Sequence, residues 1–303
     1  MHSTTKKNIY VGISLAILAT FIWSGNFIVA RAVIKDIQPV TLSFYRWLIA
    51  TIIIFPFAAT YFFKEIALVK KHALFFLAAA ATGISMFNTF VYIGGHYSEA
   101  INLALIGTTS SPIISVILAR IFLKERISGF RIAGMIICII GILLLLSKGS
   151  FEKLLAFSFS KGDWWVLAAA FSFSAYNTLV KKKPASMHPV NFLFVVFLIG
   201  TLVLFPFYIY ELKTKGAFAI TFTSVSVLLY LGIFASVVCF LIWNISISKL
   251  GSGRTALFGN LIPVFSSIEA VLILGEKVSW LQVASFAIVI MGLIIANIEK
   301  RKR

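Results

Sequence analysis

The stretches "LKERIS" at residues 123–128 and "LGEKVS" at residues 274–279 share one layout. In each, a Glu and a basic residue end a long apolar run, and a Ser begins the next run. The two stretches lie 151 positions apart, about half of the 303-residue chain. A junction that occurs twice at this distance indicates that the chain consists of two related halves.

The composition indicates a protein that folds in lipid. Hydrophobic residues make up 60% of the chain and charged residues 12%, whereas about a quarter of the residues in a soluble domain are charged. Too little charge is therefore available to cover a water-facing surface. The apolar runs are long and continuous, without the alternation of barrel strands. The predicted fold class is an all-α integral membrane protein.

Ten apolar runs are long enough to cross a bilayer, which takes roughly 20 residues for a helix. They cover residues 10–30, 40–63, 73–93, 100–123, 127–147, 163–180, 190–210, 225–247, 255–274 and 280–298. The connections between them are short. The sequence therefore predicts ten transmembrane helices and no separate soluble domain.

The likeness of the two junctions extends along both halves. At an offset of 151, Pro112 corresponds to Pro263, Glu125 to Glu276 and Gly141 to Gly292. Nearer the start the offset is 150, and "FPF" at 55–57 corresponds to "FPF" at 205–207. We interpret this pattern as a duplication of five helices. The predicted segments are a cytoplasmic tail at 1–9, a first repeat at 10–147, an external connection at 148–162, a second repeat at 163–298 and a basic cytoplasmic tail at 299–303.

The basic residues predict the orientation in the membrane. With the N-terminus in the cytoplasm, most of the 27 Lys and Arg residues fall on the inner side, as the positive-inside rule requires. Both termini are then cytoplasmic, in a plasma membrane that we expect to be a bacterial inner membrane. The net charge of +17 is spread over many loops, which favours contact with anionic lipids at the cytoplasmic face over nucleic-acid binding.

An odd number of helices in each repeat makes the second repeat enter the membrane from the opposite side. The junction "LKERIS" then faces the cytoplasm and "LGEKVS" faces outward. Inverted repeats of this kind are typical of transporters that bind substrate near the midplane, at the interface of the repeats.

Several motifs carry a family resemblance. "WSGNF" at 23–27, "FYRWLIA" at 44–50 and the stretch from Pro112 through "LKERIS" resemble the EamA-type module of the drug/metabolite transporter superfamily, and so does the stretch from Pro263 to Gly292. The second copy departs from the pattern, with "FSFSAYN" at 171–177 and Val196 in place of Arg46. The resemblance implies a ten-helix carrier of small organic solutes, often an exporter of amino acids or other metabolites. It also implies that helices 1, 3, 4, 6, 8 and 9 line a central cavity, with helices 5 and 10 peripheral.

Polar and aromatic residues fall on the helices that this resemblance assigns to the cavity. On helix 3, Asn88, Tyr92 and His96 are spaced four apart and share one face. Polar groups are costly against lipid, so this face points toward protein or water; the alternative is hydrogen bonding between helices, worth about 0.6 kcal/mol per bond. The predicted substrate-binding residues are Trp23, Asn26, Asn88, Tyr92, His96, Thr109, Tyr176, Trp243 and Asn260. This aromatic and neutral set suits a small, partly apolar or zwitterionic solute, and aromatic faces also bind cations.

Two charged residues, Arg46 and Glu269, lie well away from the ends of their predicted spans. Arg46 and Glu269 are at similar depths from the outer side, so they are candidates for an ion pair. Glu269 replaces the apolar Leu118 of the first repeat, which also makes it a candidate for proton coupling. We expect the junction acids Glu125 and Glu276 to cap helices 5 and 10 or to pair with nearby bases.

Other functional classes are less well supported by the sequence. The chain contains none of the HExxH, GxSxG or Walker motifs, so no catalytic residues, cofactor or metal are predicted and an enzyme is disfavoured. Pro112 and Pro263, in the middle of equivalent helices, favour hinged helices over a fixed pore. A drug or organic-cation exporter and a channel-like facilitator remain as alternatives. We expect a monomer or a weak homo-oligomer.

Overall fold

The computed structural model describes residues 6–33, 36–97, 100–147, 150, 152, 159–274 and 279–298. Only the backbone is described at residues 6, 26–33, 100–105, 270–271 and 273–274. Within these ranges the regular elements are helices, without strands. The first half contains α1 (Lys6–Val33), α2 (Pro39–Lys71), α3 (Ala73–Tyr97), α4 (Ala100–Leu123) and α5 (Gly129–Ser147). The second half contains α6 (Lys161–Lys181), α7 (Pro189–Lys215), α8 (Phe222–Leu250), α9 (Ser252–Ala256, a 3₁₀ turn at Leu257–Leu261, and Ile262–Leu274) and α10 (Trp280–Ala296).

The described helices fit a membrane environment. Seven of them, α1 to α5 together with α7 and α8, are long and apolar enough to cross a bilayer. Large apolar side chains point outward, among them Phe57 and its equivalent Phe207. The all-helical membrane architecture expected from composition is confirmed. The number of ten membrane crossings stays a prediction.

Local sequence signals set several helix starts. Pro39 and Pro189 occupy the first turns of α2 and α7, where the missing N–H of proline has no helical partner to lose. Ser160 with Asp163 forms a capping box at α6, and Ser279 with Gln282 forms another at α10. These caps satisfy backbone N–H groups that would otherwise be unpaired.

Helices α2 and α7, which are equivalent in the two halves, cross in opposite directions. The equivalent residues Thr51 and Thr201 meet at the crossing, with 3.2 Å between their Oγ1 atoms. On either side, ring contacts join equivalent residues in exchanged order: Phe44 with Phe205 at 5.9 Å and Phe55 with Phe194 at 5.4 Å. The start of each helix therefore lies against the end of the other, and local two-fold symmetry relates them.

Two carboxylates join the ends of this crossing. Glu211, near the end of α7, accepts hydrogen bonds from the backbone N–H and the hydroxyl of Thr41 at the start of α2, at 2.6 and 2.8 Å. Glu65, near the end of α2, accepts from the His188 N–H and the Asn191 amide at the start of α7, at 3.0 and 2.6 Å. Each carboxylate thus satisfies orphan donors at the N-terminus of the partner helix.

Helices α5 and α10 form a second antiparallel crossing of equivalent helices. The Cys138 thiol donates to the carbonyl oxygen of its equivalent, Val289, at 3.4 Å. Around this point Gly134, Gly141 and Gly292 allow close approach, since a Cβ atom on Gly292 would lie 2.7 Å from Cys138 Sγ. Small residues are the usual means of packing helices tightly in lipid.

Contacts between the halves repeat the same exchange. Helix α1 packs against α8 and α9, and its equivalent α6 packs against α3 and α4. The buried core therefore lies where helices of both halves meet. Both α3 and α8 contain a π-helical turn there, at Ala81–Met86 and Ile233–Val238.

Candidate functional site

Five aromatic side chains from α1, α6 and α8 form one buried group at the interface of the halves. We call Trp23, Phe173, Tyr176, Phe240 and Trp243 the aromatic cluster. The rings of Trp23 and Trp243 are 4.9 Å apart, those of Trp23 and Phe173 are 5.7 Å apart, and those of Tyr176 and Phe240 are 5.5 Å apart. Every member is at most 7% exposed. The structure therefore shows the cluster closed, with its rings in contact.

The polar atoms of the cluster are oriented by hydrogen bonds to neighbouring helices. The Trp243 indole N–H donates to Asn177 Oδ1 at 2.9 Å. The Tyr176 hydroxyl is bonded to the Asn244 side chain, whose Nδ2 lies 2.9 Å away. The Trp23 N–H donates to the carbonyl oxygen of Ala235 at 2.8 Å. These bonds fix the ring planes, so the cluster presents a defined surface.

Two buried amide nitrogens, on helices that pack against each other, have no hydrogen-bond partner among the residues that the structure describes. They are Nδ2 of Asn88 on α3 and Nδ2 of Asn177 on α6, and both are buried. Helices α3 and α6 pack against each other. Because buried polar groups are nearly always paired, these donors are candidates for binding an acceptor on a ligand.

Arg46 joins the two halves beside the π-helical turn of α8. Its Nε donates to Ser236 Oγ at 2.7 Å, its Nη1 to Tyr92 Oη at 2.9 Å, and its Nη2 to the Ala235 carbonyl oxygen at 3.0 Å. The side chain is 1% exposed. Ala235 thus accepts from both Arg46 and Trp23, which connects the guanidinium to the aromatic cluster.

Glu269, on α9, belongs to a different network. Its Oε1 accepts from Ser24 Oγ at 2.7 Å, while its buried Oε2 has no partner among the described residues. Among the described residues, the ion pair within 4.0 Å joins Arg131 and Glu125. The ion pair of Glu269 with Arg46, a candidate from the sequence, is therefore not formed in this structure.

The structure brings together some of the predicted substrate-binding residues and separates others. Trp23, Tyr176 and Trp243 share the aromatic cluster, and Tyr92 adjoins it through Arg46. His96 is exposed near the end of α3, and Thr109 is half-buried on α4. Asn260 lies in the 3₁₀ turn of α9 beside Cys138 of α5. The side chain of Asn26 lies outside the described residues.

Sequence reasoning missed Phe240 and Tyr230 on α8. A signal for Phe240 exists: Ser236, Phe240 and Trp243 are spaced four and three apart, so they share one helical face. Tyr230 has no comparable pattern, because its hydroxyl is placed by the backbone of another helix, donating to the Ile22 carbonyl oxygen at 2.7 Å.

The acid of the first junction meets one of its two expected roles and has a further one. Glu125 does pair with a nearby base, with Arg131 Nη1 at 3.9 Å. However, Ser128 rather than Glu125 caps α5, through the N–H of Arg131 at 3.2 Å. The Glu125 carboxylate instead accepts from the Ser252 N–H at 3.1 Å and so caps α9 of the other half. Glu276, in the second junction, lies outside the described residues.

Comparison with known proteins gives a family for this architecture. The model of the EamA-like transporter family matches residues 10–147 and 160–298. The chain is 26% identical to the uncharacterized transporter YyaM of Bacillus subtilis, over 95% of this chain and 94% of that one. It is 27% identical to a probable amino-acid metabolite efflux pump of Salmonella typhimurium, over 93% of each chain.

A solved crystal structure is also similar. It superposes with a TM-score of 0.77 at 16% sequence identity and covers 96% of each chain. At this identity the likeness shows the fold alone.

Proposed function

The chain belongs to the EamA-like transporter family, and from this premise we propose that it is a secondary transporter that exports a small organic metabolite, an amino acid or a similar solute, by alternating access. The aromatic cluster between the two halves is the observation that carries the proposal. It lies where helices of both halves meet, so a relative movement of the halves changes access to it from either side.

The orientation of the helices supports this mechanism. The antiparallel crossings of α2 with α7 and of α5 with α10 are the arrangement expected of two five-helix repeats with opposite orientation, ten membrane crossings in all. In inverted-repeat transporters one repeat rocks against the other around a site at their interface. The π-helical turns of α3 and α8 are suitable hinge points, because such turns break regular helical bonding.

The chemistry of the cluster favours a zwitterionic substrate with an apolar side chain. Ring faces bind apolar groups and attract an ammonium group. The unpaired Asn88 and Asn177 nitrogens are donors that suit a carboxylate. Arg46 is engaged with Tyr92, Ser236 and Ala235, which favours a positioning role for it.

In this proposal the structure corresponds to a closed stage of the cycle. The Trp23 and Trp243 rings lie 4.9 Å apart, so a solute must separate them in order to bind. On the side of the first junction, the Glu125 carboxylate on Ser252 joins the halves, and opening toward that side requires this contact to break.

Counterflow in proteoliposomes tests the proposal. Vesicles preloaded with one unlabelled L-amino acid from a panel should take up the same labelled amino acid transiently above equilibrium, and the rate should saturate. A channel gives neither result, and an enzyme consumes the amino acid. An absence of counterflow across the whole panel contradicts the amino-acid assignment, while competition by quaternary ammonium compounds alone favours the organic-cation alternative.

A matched pair of tryptophan variants locates the site. Trp243→Ala should weaken apparent affinity about fivefold, the equivalent of about 1 kcal/mol for one aromatic contact. Trp280→Ala is the control, because Trp280 is 88% exposed at the start of α10 and should leave affinity unchanged. Equal affinities in the two variants would place the site away from the cluster.

A further inference from the structure

One acidic side chain on α9, Glu269, has an incomplete set of hydrogen-bond partners among the described residues. Glu269 accepts a single described hydrogen bond, from Ser24 to Oε1 at 2.7 Å, while Oε2 is buried without a partner. An ionised carboxylate in this position is costly, because an unpaired charged oxygen has lost its hydration. A proton on Oε2 removes that cost.

The space around Oε2 decides what can bind there. A Cβ atom on Gly25 would lie 3.9 Å from Glu269 Oε2 and 2.6 Å from Tyr230 Oη. A methyl group added to Gly25 therefore collides with the tyrosine, so little space is left between Gly25 and Tyr230 on this side of the carboxyl. A proton on Oε2 needs no such space. The Tyr230 hydrogen is directed to the Ile22 carbonyl oxygen, so its hydroxyl presents an acceptor toward this space.

The other titratable and charged groups facing this region come from α2 and α8. Tyr230 on α8 is the nearest of them, and Cys239 on α8 and Arg46 on α2 lie close enough to Tyr230 to act on it electrostatically, as Glu269 does. The Cys239 thiol is directed to the Ala19 carbonyl oxygen at 3.6 Å, and Arg46 donates to Ser236, Tyr92 and Ala235. The Glu269 carboxyl is thus the group here with an open position for a proton.

Helix α1 connects this carboxyl to the aromatic cluster. Ser24, which binds Glu269, directly follows Trp23, which contacts Trp243. A displacement of α1 that separates the two tryptophans also moves Ser24 relative to α9. Proton occupancy and solute occupancy therefore bias the same helix, which is the physical requirement for coupling two sites.

On the basis of the proposed function, we propose that Glu269 is the proton-binding group that couples export to proton entry. In the outward-open state, external water delivers a proton and an O–H bond forms at Oε2. In the inward-open state that bond breaks and the proton passes to cytoplasmic water. Solute bound at the cluster holds α1 where Ser24 donates to Oε1, which favours the ionised carboxylate. Solute and proton therefore bind in turn, as export in exchange for proton entry requires. No electrons are transferred.

Paired flux assays test this proposal in the same proteoliposomes. For an amino acid of the panel that shows counterflow, a gradient of one pH unit at zero membrane potential should sustain about tenfold accumulation at one proton per solute. Glu269→Gln should abolish this accumulation and retain counterflow within about twofold. Glu211→Gln is the matched control, since it changes another hydrogen-bonded glutamate, and it should retain accumulation.

The outcomes separate this inference from the proposed function. Accumulation that persists in Glu269→Gln overturns the coupling role, and so does a wild-type protein that shows counterflow without pH-driven accumulation. An absence of counterflow in the wild type contradicts the proposed function itself. If Glu269→Gln loses counterflow as well, its role is structural and the coupling role is overturned, unless the variant is unfolded by circular dichroism.

A second variant keeps the proposal testable if Glu269→Gln does not fold. Ser24→Ala retains the carboxyl but removes the hydrogen bond that favours its ionised form. The midpoint of the pH dependence of exchange should then move toward higher pH by about one unit, since one such bond is worth about 1.4 kcal/mol. An unchanged midpoint contradicts the assignment.

Discussion

Helices α3 and α8 each contain a π-helical turn at equivalent positions, but different hydrogen-bond partners stabilise the two turns. In α3, Ser85 in the π-helical turn donates to the Gly200 carbonyl oxygen at 3.0 Å. In α8, the equivalent Ser236 accepts from the Arg46 guanidinium at 2.7 Å. The first turn is thus held by neutral contacts, and the second by a buried charge that also binds Tyr92 of the first half.

This difference shows that the helical scaffold is symmetric between the two halves, whereas the charged residues inside it are not. The scaffold is symmetric, because Thr51 meets Thr201 and Cys138 meets Val289 across local two-fold crossings. The charges inside the scaffold are not symmetric. Val196 occupies the position equivalent to Arg46, and Leu118 occupies the position equivalent to Glu269. Duplication supplied two similar frames, and the groups that differ between them are the candidates for function.

Arg46→Met should have the largest effect on stability. It removes three described hydrogen bonds and leaves Tyr92 and Ser236 short of a donor, while the Ala235 carbonyl keeps the Trp23 N–H. A loss of about 3–5 kcal/mol in unfolding free energy is expected. Val196→Ala, at the equivalent position, should cost about 1–2 kcal/mol through lost packing. Reversible unfolding in mixed micelles measures both, and equal losses would show that the charge does not distinguish the two turns.

Gly83→Ala should distort the π-helical turn of α3 through a steric clash. Its Cβ atom would collide with the Tyr176 ring, so overpacking of about 1–3 kcal/mol is expected, together with a disturbed cluster. Gly129→Ala is the control, because nothing lies within 4 Å of that added atom. A variant at 83 with parental stability and transport would mean that the contact with Tyr176 is not maintained.

Tyr92→Phe removes one bond from the guanidinium network and keeps the ring. We expect a loss of about 1.5 kcal/mol, as for a hydrogen bond to a charged group. The same substitution at Tyr97, which is 63% exposed, should be neutral. Thermal unfolding of the two variants compares them, and a neutral Tyr92→Phe would exclude a strong bond to Arg46.

The serines of the two turns give the smallest and most specific comparison. Ser85→Ala loses a neutral bond between helices, worth about 0.6 kcal/mol. Ser236→Ala loses a bond to a charged donor and should cost more, about 1.5 kcal/mol. The reverse order would contradict the assignment of the charged network to α8.

Much of the scaffold follows from hydropathy and from the matched residues. Helices occupy the apolar runs, and pairs such as Gly141 with Gly292 mark positions where equivalent helices pack closely. The π-helical turns could not be predicted, because Ala81–Met86 and Ile233–Val238 have no common side-chain signature. The interruption of α9 between 257 and 261 carries no such signal either.

The site was less predictable, because its contacts join residues distant in the chain. Trp23 and Trp243 were identified by type and helix position, but the partners of Arg46 and Glu269 depend on how the halves dock. Glu65 and Glu211 went unnoticed because they occur at helix ends, where an acid is usually solvated. Asn260 was predicted as a binding residue from its type and helix alone. The structure places it in a 3₁₀ turn beside Cys138, and a role in binding stays a prediction.

The opposite orientation of the two repeats is the central claim, and the junctions test it most directly. In a background without Cys138 and Cys239, single cysteines are introduced as Arg126→Cys and Lys277→Cys, at equivalent positions of the two junctions. A membrane-impermeant maleimide is then applied to right-side-out and inverted vesicles. Position 277 should react in right-side-out vesicles and position 126 in inverted ones; reaction of both positions from the same side would contradict the inverted repeat.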